Sequence, residues 1–147
     1  MSAMKKCYLD ANFLFYYQDT HSSFHDRVVE IIEKLISEKF HLVLSALVLD
    51  EYLYTCLKFL GKPKDQIRKD LEESLVSIFR LPNITLINPP RDYKKYFKIV
   101  NLIVDFKFDP RDAYHLFMML ENKVKYLATF DNDFDQIFKK RIIRKLV

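Results

Sequence analysis

Strand-like apolar runs alternate with amphipathic helical stretches along this chain, and no Asn-Gly type turn joins any two strands as a hairpin. Strands kept apart by helices pair through crossovers, so the order predicts a parallel sheet with helices on both faces. Strands are expected at Lys6–Asp10, Phe40–Leu44, Ile84–Ile87, Val124–Thr129 and Ile142–Val147. No internal repeat, linker or low-complexity tract divides the 147 residues, and a chain of this length can bury one substantial core, so residues 1–147 are read as a single α/β domain.

The helices follow from apolar spacing and end signals. A helix starts at Asn12–Tyr17, and Ser22 or Ser23 can cap another that carries Val28, Ile31, Ile32, Leu35 and Ile36. Ser45 is placed to cap a helix with Leu49, Leu53, Cys56, Leu57 and Leu60 on one stripe, ending at Gly61, the only glycine in the chain. Pro63 opens a helix over Lys64–Phe79, with Ile67, Leu71, Leu75 and Ile78 in register. Arg91–Lys107 reads as helical, Asp109-Pro110 restarts the chain into a helix through Glu121, and a short helix is expected over Asp133–Phe138.

Composition excludes several function classes. Half the residues are hydrophobic and 15% are aromatic, which excludes a disordered chain. Apolar runs such as VLSALVL stop well short of the roughly 18 residues of a membrane span. MSAMKKCYLD enters a strand without a signal-peptide apolar region, and Cys7 and Cys56 read as buried free thiols, so a cytoplasmic location is expected. The net charge of +4 is a mild surplus, compatible with a nucleic-acid partner. A single glycine excludes a phosphate-cradling loop and a nucleophile elbow.

Four acids stand at the ends or starts of core elements: Asp10 in YLDANFLF, Glu51 in SALVLDEYL, Asp112 in FDPRDAYHLF and Asp131 in YLATFDNDF. Structural roles are open to each one. Asp10 can cap the helix after its strand, with Asn12 an equal competitor, and Glu51 can pair with Lys58. Asp112 can complete a capping box with Asp109 as N-cap and Pro110 at N1, and Asp131 can cap a helix or make an Asx turn. All four sit in apolar sequence, where a lone charge is costly. In an open α/β sheet, sites form beyond the carboxyl ends of the strands, the edge toward which these acids point. Four carboxylates gathered there repel one another, and a divalent metal ion that offsets the repulsion suggests phosphodiester chemistry.

Other residues are weaker signals. His115, one turn beyond Asp112 on the same helix face, can contact a phosphate, hydrogen-bond a carboxylate or simply pack. The 13 Phe and 9 Tyr belong mostly to core stripes, with Tyr16, Tyr17 and Tyr54 as candidates to flank the acidic edge. Lys139, Lys140, Arg141, Arg144 and Lys145 form a basic tail, read as a solvated face or an RNA backbone track.

The four acidic segments, in this order and over nearly the whole chain, resemble the PIN domain family, and within it small VapC-like toxins and their archaeal relatives. The family's acidic positions fall on Asp10, Glu51, Asp112 and Asp131. Asn12 takes the polar position after the first acid, Ser45 precedes the second, and Thr129 fits a Thr-x-Asp pattern; Ala11 stands where the family often has Thr. The resemblance implies a three-layer α/β/α sandwich around a parallel sheet of about five strands. It also implies a Mg²⁺- or Mn²⁺-dependent endoribonuclease, commonly a homodimer, that leaves a 5′ phosphate and in toxin members has an antitoxin protein that blocks the site.

Clustered carboxylates would recruit one or two such ions through hard oxygen ligands, about 3.5–4 Å apart in a two-metal site. Asp10 and Asp112 are expected as direct ligands, with Glu51 and Asp131 acting through water, and Arg111 or His115 meeting substrate phosphate. Asp50, Asp109 and Asp133 are neighbouring acids that can be mistaken for the functional ones. The alternative from another class is a catalytically inactive module that binds RNA or protein. A phosphoacceptor receiver domain wants adjacent acids after the first strand and a late lysine, and a haloacid-dehalogenase-type phosphatase wants Asp-x-Asp. The chain instead has Asp10-Ala11-Asn12 and Leu127-Ala128-Thr129, so both fit poorly.

Overall fold

A computed structural model of the chain describes residues 3–146. Five strands form one sheet: β1 (Lys6–Leu9), β2 (His41–Leu44), β3 (Ile84–Leu86), β4 (Tyr126–Ala128) and β5 (Arg144–Lys145). Their order is β3-β2-β1-β4-β5 and every neighbouring pair is parallel. Each strand is shorter than its apolar run, because the residues at either end turn into caps and loops. Val147, the last residue of the expected fifth strand, lies outside the described residues.

Seven α-helices occur among the described residues: α1 (Ala11–Gln18), α2 (His25–Ser37), α3 (Ala46–Leu60), α4 (Arg68–Phe79), α5 (Phe97–Phe106), α6 (Pro110–Glu121) and α7 (Asp135–Lys139). The chain steps outward from β1 through β2 to β3, then crosses back to β4 and β5 on the other side of β1. Right-handed crossovers therefore put α1–α4 on one face and α5–α7 on the other, the three layers of an α/β/α sandwich. Contacts of α1 with α2, α3 and α4, and of α5 with α6, agree with that division.

Several local expectations are corrected. Neither Ser22 nor Ser23 caps α2; its N-cap is Phe24, whose N–H donates to Ser22 Oγ in a local turn. The helix expected at Lys64–Phe79 is a 3₁₀ turn at Lys64–Gln66 followed by α4, with buried Ile67 at the joint. Arg91–Lys107 likewise divides into a 3₁₀ turn at Tyr93–Tyr96 and α5. In α3 the buried face is Val48, Tyr52 and Cys56, and the expected leucine stripe is only half-buried apart from Cys56. Ser45 does cap α3, accepting from Val48 N–H at 3.3 Å, and Gly61 ends it in the left-handed conformation at φ 59°.

The core lies on both faces of β1. Cys7, Tyr8 and Leu9 are all buried, as are Val28, Ile32 and Leu35 of α2 and Leu116, Phe117 and Met119 of α6. A strand buried on both faces reads as a continuous apolar run rather than an alternating one, as CYL does. The described residues include no helix long and apolar enough to cross a membrane.

Candidate active site

Asp10 directly follows the central strand, and the crossovers on either side bring β2 and β4 against it. Its backbone is extended and it caps α1, with Oδ1 accepting from Ala11 N–H at 2.8 Å. Oδ2 accepts from the Thr129 hydroxyl at 2.6 Å, and Thr129 Oγ1 in turn accepts from Asp131 N–H at 2.9 Å. Thr129 thus ties the end of β1 to the end of β4. The capping role open to Asp10 is real, and it coexists with a place at the sheet edge.

Asp10, Asn12, Glu51, Arg111 and Asp131 line one cavity of about 730 Å³, with Tyr16 and Tyr54 among its walls. Tyr17, expected beside them, faces a different hollow between α2 and α4. That hollow is larger, about 930 Å³, but none of the four predicted acids lines it. Volume does not identify chemistry: the smaller cavity holds three of the four predicted acids, while Asp112 lines a separate cavity with Asp109, Asp133 and Asp135.

Among the described residues, ligand-capable atoms gather in two sets, each within 4.8 Å: Asp10, Glu51 and His115, and Asp112, Asp131 and Asp133. Asp133 therefore stands beside two of the four predicted acids, closer than its rank in sequence suggested. Glu51 does not pair with Lys58. Its Oε1 accepts from His115 Nε2 at 2.8 Å and lies 3.5 Å from Arg111 Nε. Lys58 instead lies over the Tyr54 ring, at 5.8 Å. Asp109 makes no side-chain cap to α6, so the capping box is not formed, although Pro110 occupies the first turn as expected.

The electrostatics reflect crowding. Burial, then Asp131 and Asp133, push the Asp112 carboxyl up to about 6, with Asp10 adding to the rise. Burial also raises Asp10, against the pull of the hydrogen bonds from the Thr129 hydroxyl and the Ala11 N–H. Asp131 raises Asp133. A hard divalent cation prefers several carboxylate oxygens, and these donor sets, which include no cysteine, suit a hard cation better than a soft one.

Asn12 Oδ1 accepts from Phe130 N–H at 3.3 Å, which leaves its amino group as a donor beside the cavity. His115 is only 2% exposed, and its Nδ1 meets Tyr8 Oη at 2.6 Å. Tyr8 was missed in sequence because a tyrosine within KCYL reads as core. The available signal was period two: Tyr8 and Asp10 leave an extended segment on the same side.

The PIN domain family model matches residues 7–140. No curated protein matches the chain significantly. Among solved structures, VapBC2 from Rickettsia felis, bound to a DNA fragment from its promoter, superposes with a TM-score of 0.67 at 19% identity, covering 95% of this chain and 98% of that one. FitAcB from Neisseria gonorrhoeae gives 0.63 at 21% identity, with 95% of both chains covered. VapC20 from Mycobacterium tuberculosis, a sarcin–ricin loop cleaving toxin, gives 0.61 at 13% identity over 88% of this chain and 93% of that one. At these identities the likeness is one of fold. The family match over residues 7–140, on a five-stranded all-parallel sheet, makes this chain a member of the PIN domain family.

Proposed function

We propose that residues 1–147 act as a single Mg²⁺- or Mn²⁺-dependent endoribonuclease domain, the toxin of a toxin–antitoxin pair. The observation that supports this reading is one cavity lined by Asp10, Glu51 and Asp131 from three separate chain segments, with Asp112 within 4.8 Å of Asp131. The likeness to VapBC2 and FitAcB supports an antitoxin protein as a partner, and the likeness to the toxin VapC20 supports RNA as a substrate. In this reading the protein is a cytoplasmic homodimer.

Asp10 and Asp112 would hold the metal directly, and Glu51 and Asp131 would complete its surroundings. When bound, such an ion supplies Lewis-acid stabilisation of charge at phosphorus and lowers the pKa of a water. The protein's own residues do the rest. Thr129 and the Ala11 N–H fix both oxygens of Asp10, so the carboxylate is held in place before substrate arrives. Arg111, 64% exposed in its side chain, offers a mobile cation for a backbone phosphate at an otherwise acidic edge. Asn12 offers a neutral donor on the other wall.

The test is cleavage of a labelled single-stranded RNA pool with and without Mg²⁺ or Mn²⁺, comparing wild type with an equally folded Asp112→Asn. Metal-dependent cleavage lost in the variant is the expected result. Equal cutting by both proteins would mean a contaminant or another site, and binding without cutting would favour a non-catalytic RNA-binding module.

A further inference from the structure

Behind the acidic edge, four side chains from β1, α3 and α6 form one hydrogen-bonded line, buried except at Glu51. Ser45 Oγ, at the N-cap of α3, lies 2.7 Å from Tyr8 Oη on β1. Tyr8 Oη lies 2.6 Å from His115 Nδ1 on α6, and His115 Nε2 lies 2.8 Å from Glu51 Oε1 on α3. Ser45, Tyr8 and His115 are each at most 2% exposed, so water does not substitute for any of these partners.

Hydrogen bookkeeping gives the line a direction. A carboxylate only accepts, so His115 Nε2 donates to Glu51. Ser45 Oγ already accepts from Val48 N–H, so its own hydrogen is free to donate to Tyr8. Tyr8 then donates to His115 Nδ1, which is left as an acceptor. In this order every hydrogen of the four groups has a partner. Reversing the Tyr8–His115 bond makes Tyr8 donate to Ser45 and leaves the Ser45 hydrogen with no acceptor among the described residues. The line starts at a helix N-terminus and ends on one oxygen of Glu51. Among the described residues no hydrogen bond engages the other oxygen, Oε2.

We propose that His115 and Tyr8 are positioning residues that hold Glu51 by Oε1 and present Oε2 to the metal site, with Ser45 setting the direction of the hydrogen bonds. The proposal rests on the nuclease reading above. It assigns His115 Nε2 as a donor to Glu51 and therefore not as a metal ligand, although it lies within 4.8 Å of the Asp10 and Glu51 oxygens. A partner of this kind orients a ligand it does not replace, and its loss weakens metal binding about 10–100-fold.

Two measurements test it. Imidazole nitrogen NMR on the wild-type protein should find the His115 proton on Nε2 and none on Nδ1, with no variant needed. Calorimetric titration with Mg²⁺ and cleavage of labelled RNA are then compared for His115→Leu, His115→Gln and Tyr8→Phe. His115→Leu should weaken Mg²⁺ binding about 10–100-fold and lower kcat with little change in KM for RNA. His115→Gln, which can donate to Glu51 and accept from Tyr8, should recover most of the loss, and Tyr8→Phe should fall between. A merely structural histidine would lower the unfolding temperature of both His115 variants without separating their Mg²⁺ affinities.

A proton found on Nδ1, wild-type Mg²⁺ affinity in His115→Leu, or no recovery in His115→Gln would each overturn the proposal. If wild type binds Mg²⁺ and cuts RNA while His115→Leu matches it, only the positioning role fails. A wild type that does neither removes the nuclease reading and this proposal together.

Discussion

Asp112 illustrates how one side chain can couple protons, metal and stability. Its ordinary value of 3.8 rises to about 6 through burial and the carboxylates of Asp131 and Asp133. The folded chain therefore holds a proton there that the unfolded chain has lost, and between those values folding binds more protons than unfolding. Stability without divalent cation should then fall as the pH rises from about 4 to about 6, the raised value of Asp10 acting in the same sense. Thermal unfolding in a chelator across that window checks the sign. Added Mg²⁺ should raise the unfolding temperature more at pH 7 than at pH 5, because it competes with the proton for the same oxygens.

The neutral amide of Asp10→Asn makes a second contrast at this scale. Replacing a ligand outright should reduce metal affinity and cleavage beyond the roughly 100-fold loss typical of an outer partner. In chelator the same variant should be at least as stable as wild type, because a buried charge with incomplete compensation has been removed. Calorimetry with Mg²⁺ and unfolding in chelator together separate the two effects. A variant that is both inactive and much less stable would mean that the Asp10 charge is needed for folding through its cap and Thr129.

Among elements, the recurrent problem is how to end a helix with almost no glycine. Gly61 takes the left-handed conformation after α3, but Lys39, Asn83, Lys107, Lys123 and Arg141 adopt positive φ with side chains in place. A left-handed residue with a Cβ costs about 1–2 kcal/mol, and glycine brings back roughly 0.5–1 kcal/mol in backbone entropy. Lys123→Gly, at an exposed position just past α6, should therefore be neutral to stabilising by roughly 0.5 kcal/mol, read in the unfolding midpoint. Gly61→Ala should be destabilising by about 1 kcal/mol through conformation alone, since a Cβ there meets no atom within 4 Å.

Elements were legible where one signal dominated. Ser45 and Gly61 bracket α3 as expected, and Pro110 opens α6. The inner face of α3 was misread because ALVLDEYLYTCLKFL is apolar nearly all round, so two stripes about 100° apart compete; the buried one contains Tyr52. The same rotation separates Tyr16, which faces the acids, from Tyr17, which does not. Ser22 and Ser23 were read as caps, yet serine competes equally well for local turns, and Ser22 takes one. At the edge itself, the nearness of Asp10 to the end of β4 was legible from position relative to strands, and Thr129 only from the resemblance to a Thr-x-Asp pattern. The Tyr8–His115–Glu51 line was not, because it joins residues 64 and 107 positions apart and exists only once the crossovers are made.

For the whole molecule, α5 leaves an apolar stripe uncovered by the core. Phe97, Val100 and Val104 share one face at helical spacing and are 65%, 55% and 68% exposed. The homodimer proposed above would be held by a second copy that covers this stripe. Wild type should then sediment as a dimer, and Phe97→Asp with Val104→Asp should give a folded monomer; a monomeric wild type would refute that interface. The surface ion pairs, such as Arg68–Glu72 and Lys69–Glu73, are exposed and contribute little to holding the fold.

The strand order β3-β2-β1-β4-β5 also sets a timetable. A chain emerging from the ribosome completes β1, β2 and β3 with Asp10 and Glu51 already in hand, but one flank of β1 is still bare. Thr129, which grips Asp10, and Asp131 arrive only with β4, more than a hundred residues after β1. An unfinished chain therefore has half of its acids and no assembled edge. Whatever reaction that edge performs is withheld from the machinery that is still making the protein.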